Sequence, residues 1–279
     1  MLEQAITLTC EGAPMLAILH SPPPELDRKI GVVVVVGGAQ YRVGSHRMFV
    51  SLARNLAAAG CSVLRFDRRG TGDSWGEDPG FEDCNEDIQT AVRGLKDAVP
   101  GLQEIHLMGL CDGATAAAIC YFPDDEIAGY VMINPWIRSP QTQARVLLDH
   151  YYKSRFMDRE FWRELFAGKV HLLQSIKEYI NFWRNSRSHG FVMPTLQSEI
   201  FYRLKRVNKP VLFALSENDI TGQEFLVGAR VVSWKDWLQN DPRVTLVQFE
   251  NADHTFSIPA SLDKLASVCR DWLINSIKS

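Results

Sequence analysis

The chain has 279 residues, 30 Lys+Arg against 33 Asp+Glu for a formal net charge of −3, 46% hydrophobic residues and six cysteines. That composition supplies a sizeable core for one α/β domain or two small ones, and it excludes intrinsic disorder, a collagen-like repeat and a disulfide scaffold. The near-neutral balance gives no support to a nucleic-acid binder, which carries a basic excess.

The N-terminus, Met1-Leu2-Glu3-Gln4-Ala5, has no basic stretch followed by an apolar one. No run approaches the roughly 18 apolar residues that span a bilayer, so the expectation is a soluble, cytoplasmic protein. Ala5 to Cys10 and Met15 to Leu19, separated by Glu11-Gly12-Ala13-Pro14, read as a hairpin. Lys29 to Val36 ends in five consecutive valines, which suits a central strand buried on both faces. The loop after it, Gly37-Gly38-Ala39-Gln40-Tyr41-Arg42, matches neither G-x-x-x-x-G-K-[ST] nor G-x-G-x-x-G and so fails as a phosphate loop. A helical pattern from His46 to Ala59 and a strand from Ser62 to Phe66 follow. Asp67-Arg68-Arg69-Gly70-Thr71-Gly72-Asp73-Ser74 then reads as a turn whose Asp and Ser satisfy backbone donors.

Further helices are predicted at Asp83 to Ala98, Gly113 to Tyr121 and Ser261 to Ile277. Further strands are predicted at Glu104 to Met108, Gly129 to Ile133, Val211 to Leu215 and Val244 to Phe249. The alternation predicts a mostly parallel twisted sheet with helices on both faces and an antiparallel start. Between Trp136 and Lys209 no convincing strand appears, while aromatics such as Tyr151, Phe161 and Trp183 fall at helical spacing. An insertion of that size at the carboxyl edge of a sheet predicts a lid, although its aromatics could equally pack its own core. The expected division is a core of residues 1–135 and 210–279 with a helical lid at 136–209.

The cysteines have neither CxxC nor Cys/His ligand spacing, so no metal, no cofactor and no disulfide framework is expected. Most should be small buried hydrophobes. Cys111 stands apart. Gly109-Leu110-Cys111-Asp112-Gly113-Ala114 follows a strand and opens an alanine-rich helix, the context of a G-x-S-x-G nucleophile elbow with cysteine in the serine position. A helix N-terminus suits a thiolate, which Asp112 opposes if its carboxylate points inward. The bland reading is a buried cysteine in a tight turn.

A nucleophile needs a base, and the base an orienting acid. Glu250-Asn251-Ala252-Asp253-His254 places His254 on a loop before the last helix, and Ser216-Glu217-Asn218-Asp219 places Asp219 on the preceding strand–helix loop. Glu217 competes as the acid, Asp253 reads as a loop-shaping residue, and His46 ranks second as the base. Oxyanion donors are expected from the backbone N–H of Asp112 and from Ala39 or Gln40. Tyr41, Arg42 and Trp136 are candidate substrate-binding residues.

These segments together resemble the α/β-hydrolase superfamily, whose chain order is nucleophile, acid, histidine. More narrowly, Val36–Arg47, Leu64–Gly70, Gly109–Ala114 and Ile133–Ser139 resemble the first of two α/β-hydrolase families associated with the bacterial exosortase A system. The resemblance covers essentially the whole chain. It implies the α/β-hydrolase fold and a setting in exopolysaccharide and protein-sorting loci. The expected activity is cleavage of an ester or thioester through a Cys111–His254–Asp219 triad. Alternatives are an acyltransferase with the same triad, a dienelactone-hydrolase-like enzyme, and a non-catalytic scaffold with a relic triad. The partner is then a small or carrier-bound acyl substrate. Between Arg138 and Lys209 lie fourteen Lys+Arg and six Asp+Glu, a balance of +8 against −11 in the remainder. Either that surplus is a solvated face paired with the acidic body, or it attracts an anionic partner.

Overall fold

A computed structural model describes residues 1–38, 40–123, 126–137, 195–229 and 232–275. Eight strands form one sheet: β1 (Leu2–Cys10), β2 (Ala13–Ser21), β3 (Ile30–Val35), β4 (Cys61–Phe66), β5 (Glu104–Leu110), β6 (Gly129–Ile133), β7 (Val211–Ser216) and β8 (Val244–Phe249). Their order across the sheet is β1-β2-β4-β3-β5-β6-β7-β8. The hairpin β1–β2 and the β2–β4 pair are antiparallel, and every later pair is parallel. The antiparallel start and parallel body are therefore as the sequence predicts.

The valine strand sits inside, between β4 and β5, and all six of its residues are buried. Successive side chains of a strand point to opposite faces. Val33 and Val35 accordingly join one apolar cluster and Val32 and Val34 the other. Each fully buried valine contributes about 1.5–3 kcal/mol, so two helical layers are held to one strand. The Val32 face is covered by α1 (Met48–Ala58) and by α7 (Pro259–Asn275), through Leu52, Leu56, Leu265 and Leu273. The Val33 face is covered by α2 (Asn85–Ala98) and α3 (Asp112–Ile119), and by α4 (Thr195–Val207), through Ile88, Ala117 and Phe201.

Two short helices not expected from the sequence, α5 (Ile220–Gly228) and α6 (Val232–Asn240), connect β7 to β8. In α5 the helical stripe is missing because Thr221, Gly222, Glu224, Phe225, Val227 and Gly228 are all buried. His46 lies before α1 rather than in it, in a short turn, Ser45–Arg47, where His46 and Arg47 take positive φ of 41° and 66°. Most of the expected lid lies outside the described residues, with Arg138 and the aromatics at 151–183. Its last part is α4, whose Ile200, Phe201 and Leu204 are buried in the core, Phe201 packing 5.1 Å from Trp234. Among the described residues no helix is long and apolar enough to cross a membrane, and no cluster of His, Cys, Asp and Glu is arranged to hold a metal.

Candidate active site

Cys111 is the only one of the six cysteines that is not buried, and none is disulfide-bonded. Burial pushes the thiols of Cys61 and Cys269 up to about 12 and that of Cys84 up to about 11, which leaves them unreactive. Cys111 occupies the single residue between β5 and α3 at φ 59° and ψ −127°, a backbone conformation that L residues rarely adopt. The sharpness of that turn explains its glycines. A methyl group on Gly109 would lie 2.5 Å from the Ala114 nitrogen, and one on Gly113 would strike the Val35 carbonyl oxygen. The Cys111 N–H donates to the Ile133 carbonyl at 3.0 Å, and the Cys111 carbonyl accepts from the N–H of Thr115 at 3.2 Å and of Trp136 at 3.1 Å. The elbow is thus clamped to the end of β6 and the segment after it.

Asp219 is the N-cap of α5. Its buried carboxylate accepts from the backbone N–H of Thr221 at 3.1 Å and of Gly222 at 3.0 Å, and lies 2.9 Å from His254 Nδ1. Two fixed backbone donors therefore aim one carboxylate at the imidazole. With Nδ1 committed to Asp219, Nε2 is left for Cys111. The His254 pKa is pushed up to about 10, first by the hydrogen bond to Asp219 and then by that to Cys111, against the opposing effect of burial. Cys111, His254 and Asp219 are thus brought together from the ends of β5, β8 and β7.

The competing residues have other surroundings. Glu217 is exposed, and its N–H donates to the Phe249 carbonyl. Asp253 shapes its loop, accepting from the Ser257 N–H at 2.8 Å and from the Ser257 hydroxyl. His46 meets Thr255, the residue after His254, its Nε2 being 2.9 Å from the carbonyl oxygen. The loop after β4 also behaves as a structural turn. Asp67 is buried, accepts the Asp73 N–H at 3.0 Å and takes the Ser74 hydroxyl on its carbonyl at 2.8 Å.

On the oxyanion side, the Asp112 N–H belongs to the first turn of α3, where backbone donors lack intrahelical acceptors. Its carboxylate turns back to the loop after β3 and accepts the Gly38 N–H at 2.8 Å. The Gln40 N–H donates to the Gly37 carbonyl at 3.3 Å, and Ala39 lies outside the described residues. Asp112 thereby offers one donor and holds the loop from which the second was expected. Asp112→Ala should cost about 1 kcal/mol and accelerate hydrogen exchange of the Gly38 amide. Asp112→Asn, which keeps an acceptor, should leave that exchange near the wild-type rate.

The three candidate substrate-binding residues differ in their surroundings. The Arg42 guanidinium pairs with Asp67 and, at 2.7 Å, with Asp73, and so ties the β3 loop to the β4 loop. Tyr41 is 44% exposed, with the Arg42 guanidinium 5.5 Å from its ring centroid. Trp136 meets Phe81 edge to face at 5.4 Å. A fourth residue, Asn134, was given no role from sequence. It is fully buried and hydrogen-bonded to both Ser216 and the His254 carbonyl. Its one local signal is an Asn-Pro step directly after a buried strand.

A family model described as "Alpha/beta hydrolase family" matches residues 32–268. Among solved structures, the Pf2001 esterase of Pyrococcus furiosus superposes with a TM-score of 0.64 at 19% identity, covering 98% of this chain and 92% of its own. XC6422 of Xanthomonas campestris, described as an α/β serine hydrolase without a lid, gives 0.57 at 16% identity, covering 99% and 94%. Est1E of Butyrivibrio proteoclasticus, solved with ferulic acid, gives 0.61 at 14% identity, covering 99% and 100%. No curated protein matches the sequence.

Proposed function

The chain belongs to the alpha/beta hydrolase family, and on that premise we propose that it cleaves an ester or thioester through an acyl-thioenzyme on Cys111. The observation that carries this reading is the placement of Cys111 in a strained turn at a helix start, together with His254 held through Nδ1 by the N-cap Asp219 and with Cys111 among the groups that raise the His254 pKa. The Cys111 thiolate attacks the acyl carbonyl and forms a C–S bond, while the Asp112 N–H and a donor from the β3 loop hold the oxyanion. The oxyanion collapses and expels the alcohol or thiol, which takes its proton from His254 Nε2. Water then loses a proton to His254, attacks the thioester and releases the acid with Cys111 restored. Esterase and serine-hydrolase neighbours support the reaction class through the fold alone.

Intact-mass measurement with a panel of activated esters and thioesters tests the proposal. Wild type should gain one acyl adduct that Cys111→Ala does not; an adduct that persists in Cys111→Ala would sink the assignment.

Acyl transfer is the second reading, and the cysteine itself favours it, because an acyl-thioenzyme readily hands its acyl group to an alcohol or amine. Product analysis with and without candidate acceptors separates the two. The motif segments at Val36–Arg47 and Ile133–Ser139 support a place in exosortase-associated exopolysaccharide metabolism, in the cytoplasm. The surplus of eight positive charges between Arg138 and Lys209 supports a lid that draws in an anionic acyl carrier. Neutralising Arg145, Arg155, Arg159 and Arg163 together should flatten the salt dependence of kcat/KM. An unchanged salt slope in that variant would remove the electrostatic role.

A further inference from the structure

We infer that Asn134 is a positioning residue for His254, an inference that rests on the Cys111–His254 reading above. Asn134 directly follows β6, is completely buried and has a positive φ of 42°, a conformation asparagine tolerates better than most residues. Its side chain joins two segments distant in sequence. Oδ1 accepts the Ser216 N–H at 2.7 Å, and Nδ2 donates to the His254 carbonyl at 3.0 Å and to the Ser216 hydroxyl at 2.9 Å. Its own N–H donates to the Ala214 carbonyl at 3.0 Å.

The polarity of these partners fixes the residue type. A backbone N–H can only donate and a backbone carbonyl can only accept, so the bridging side chain must carry one acceptor and one donor on a single short planar group. Asparagine meets that demand. Aspartate lacks the donor, and serine has one oxygen where two separated atoms are required. The same partners settle which amide atom faces which, since exchanging them would set donor against donor and acceptor against acceptor.

The consequence falls on the triad. Ser216 closes β7, three residues before Asp219, and His254 is the residue whose imidazole must meet both Asp219 and Cys111. One amide therefore ties the loop carrying the base to the strand leading to the acid. The Cys111 N–H also bonds to Ile133, the residue before Asn134, so the nucleophile is referenced to the same strand end. Loss of the bridge leaves every reacting group present and lets the imidazole wander, which affects the chemical step more than substrate capture.

The test compares wild type, Asn134→Gly and Ser216→Ala. Glycine suits the positive φ, so Asn134→Gly removes the bridge without adding backbone strain. With p-nitrophenyl acetate and butyrate as probes, Asn134→Gly should lower kcat about 100-fold with KM nearly unchanged. The downfield His254 Nδ1–H resonance should also shift or vanish in that variant. Ser216→Ala, which spares the His254 tether, should stay within about threefold of wild type. A folded Asn134→Gly with wild-type kcat overturns the inference, as does a loss of kcat with the His254 resonance unmoved. Should Asn134→Gly fail to fold, solvent exchange of the Asn134 side-chain amide in wild type decides: slow exchange supports the tether and fast exchange overturns it. A wild type that neither ester acylates counts against the Cys111 reading, while the resonance and the amide exchange still decide the tether.

Discussion

Cys111→Ala is expected to reduce turnover of any accepted ester or thioester by about 10⁴-fold or more, and Cys111→Ser is not expected to restore it at neutral pH. The first half follows from removing the atom that forms the covalent intermediate. The second half follows from His254. The Asp219 hydrogen bond, and after it Cys111, pushes the pKa of its imidazole up to about 10. A serine hydroxyl needs a neutral imidazole to take its proton during attack, whereas a thiol can lose its proton beforehand and sit as the anion of an ion pair. On the proposed reading the site favours a thiol, although the fold resembles that of serine hydrolases. Cys111→Ser should gain activity relative to wild type as the pH rises, and it should do so below about 10, because the thiol's share of the raised His254 pKa is gone. Initial rates between pH 6 and pH 10, with at least one ester and one thioester, check this. A serine variant as active as wild type at pH 7 would show that His254 is free to act as a base and that the thiol is not required.

The parts of the molecule that were readable in advance are those whose cause is local. Five valines in a row demand burial on both faces wherever the strand lies, and Gly109 and Gly113 demand close packing wherever the elbow lies. Asp219 was proposed as the acid from its place after a strand, and its task as an N-cap follows from the same position. The helix it caps was not readable, because α5 buries residues on all sides and shows no polar face to set a period. The roles of Asn134 and of the Asp112 carboxylate were hidden for a different reason. Their partners lie 120, 82 and 74 residues away, and only the folded sheet brings those strand ends together. Arg42 shows the same limit: its place in the loop after β3 suggests a substrate contact, and the two carboxylates from the β4 loop that its guanidinium meets are likewise supplied only by the fold.

Asp219→Asn should cost about 10⁴-fold in turnover while leaving the protein folded, and it should weaken one effect of pH on stability. Asparagine is as good an N-cap as aspartate, so its side-chain oxygen can keep a bond to the Thr221 or Gly222 N–H and hold the start of α5. Its amide nitrogen is then left facing His254 Nδ1, where it favours the tautomer with the proton on Nε2 and removes the charge that stabilises the imidazolium. The His254 pKa should fall from about 10 toward the ordinary value of 6.5, since the Asp219 hydrogen bond is the largest of the effects that raise it. Stability should follow. A histidine whose pKa is raised on folding contributes stability that is fully present below the unfolded value near 6.5 and is lost as the pH climbs through about 10. Wild type should therefore lose this contribution between those limits, and Asp219→Asn should lose much less over the same interval. Urea denaturation at pH 6, 8 and 10 measures the difference directly, and histidine ¹⁵N shifts across the same range locate the titration. Parallel stability curves for the two proteins would mean that Asp219 does not hold the proton on His254, and the assignment of the acid would then pass to another carboxylate.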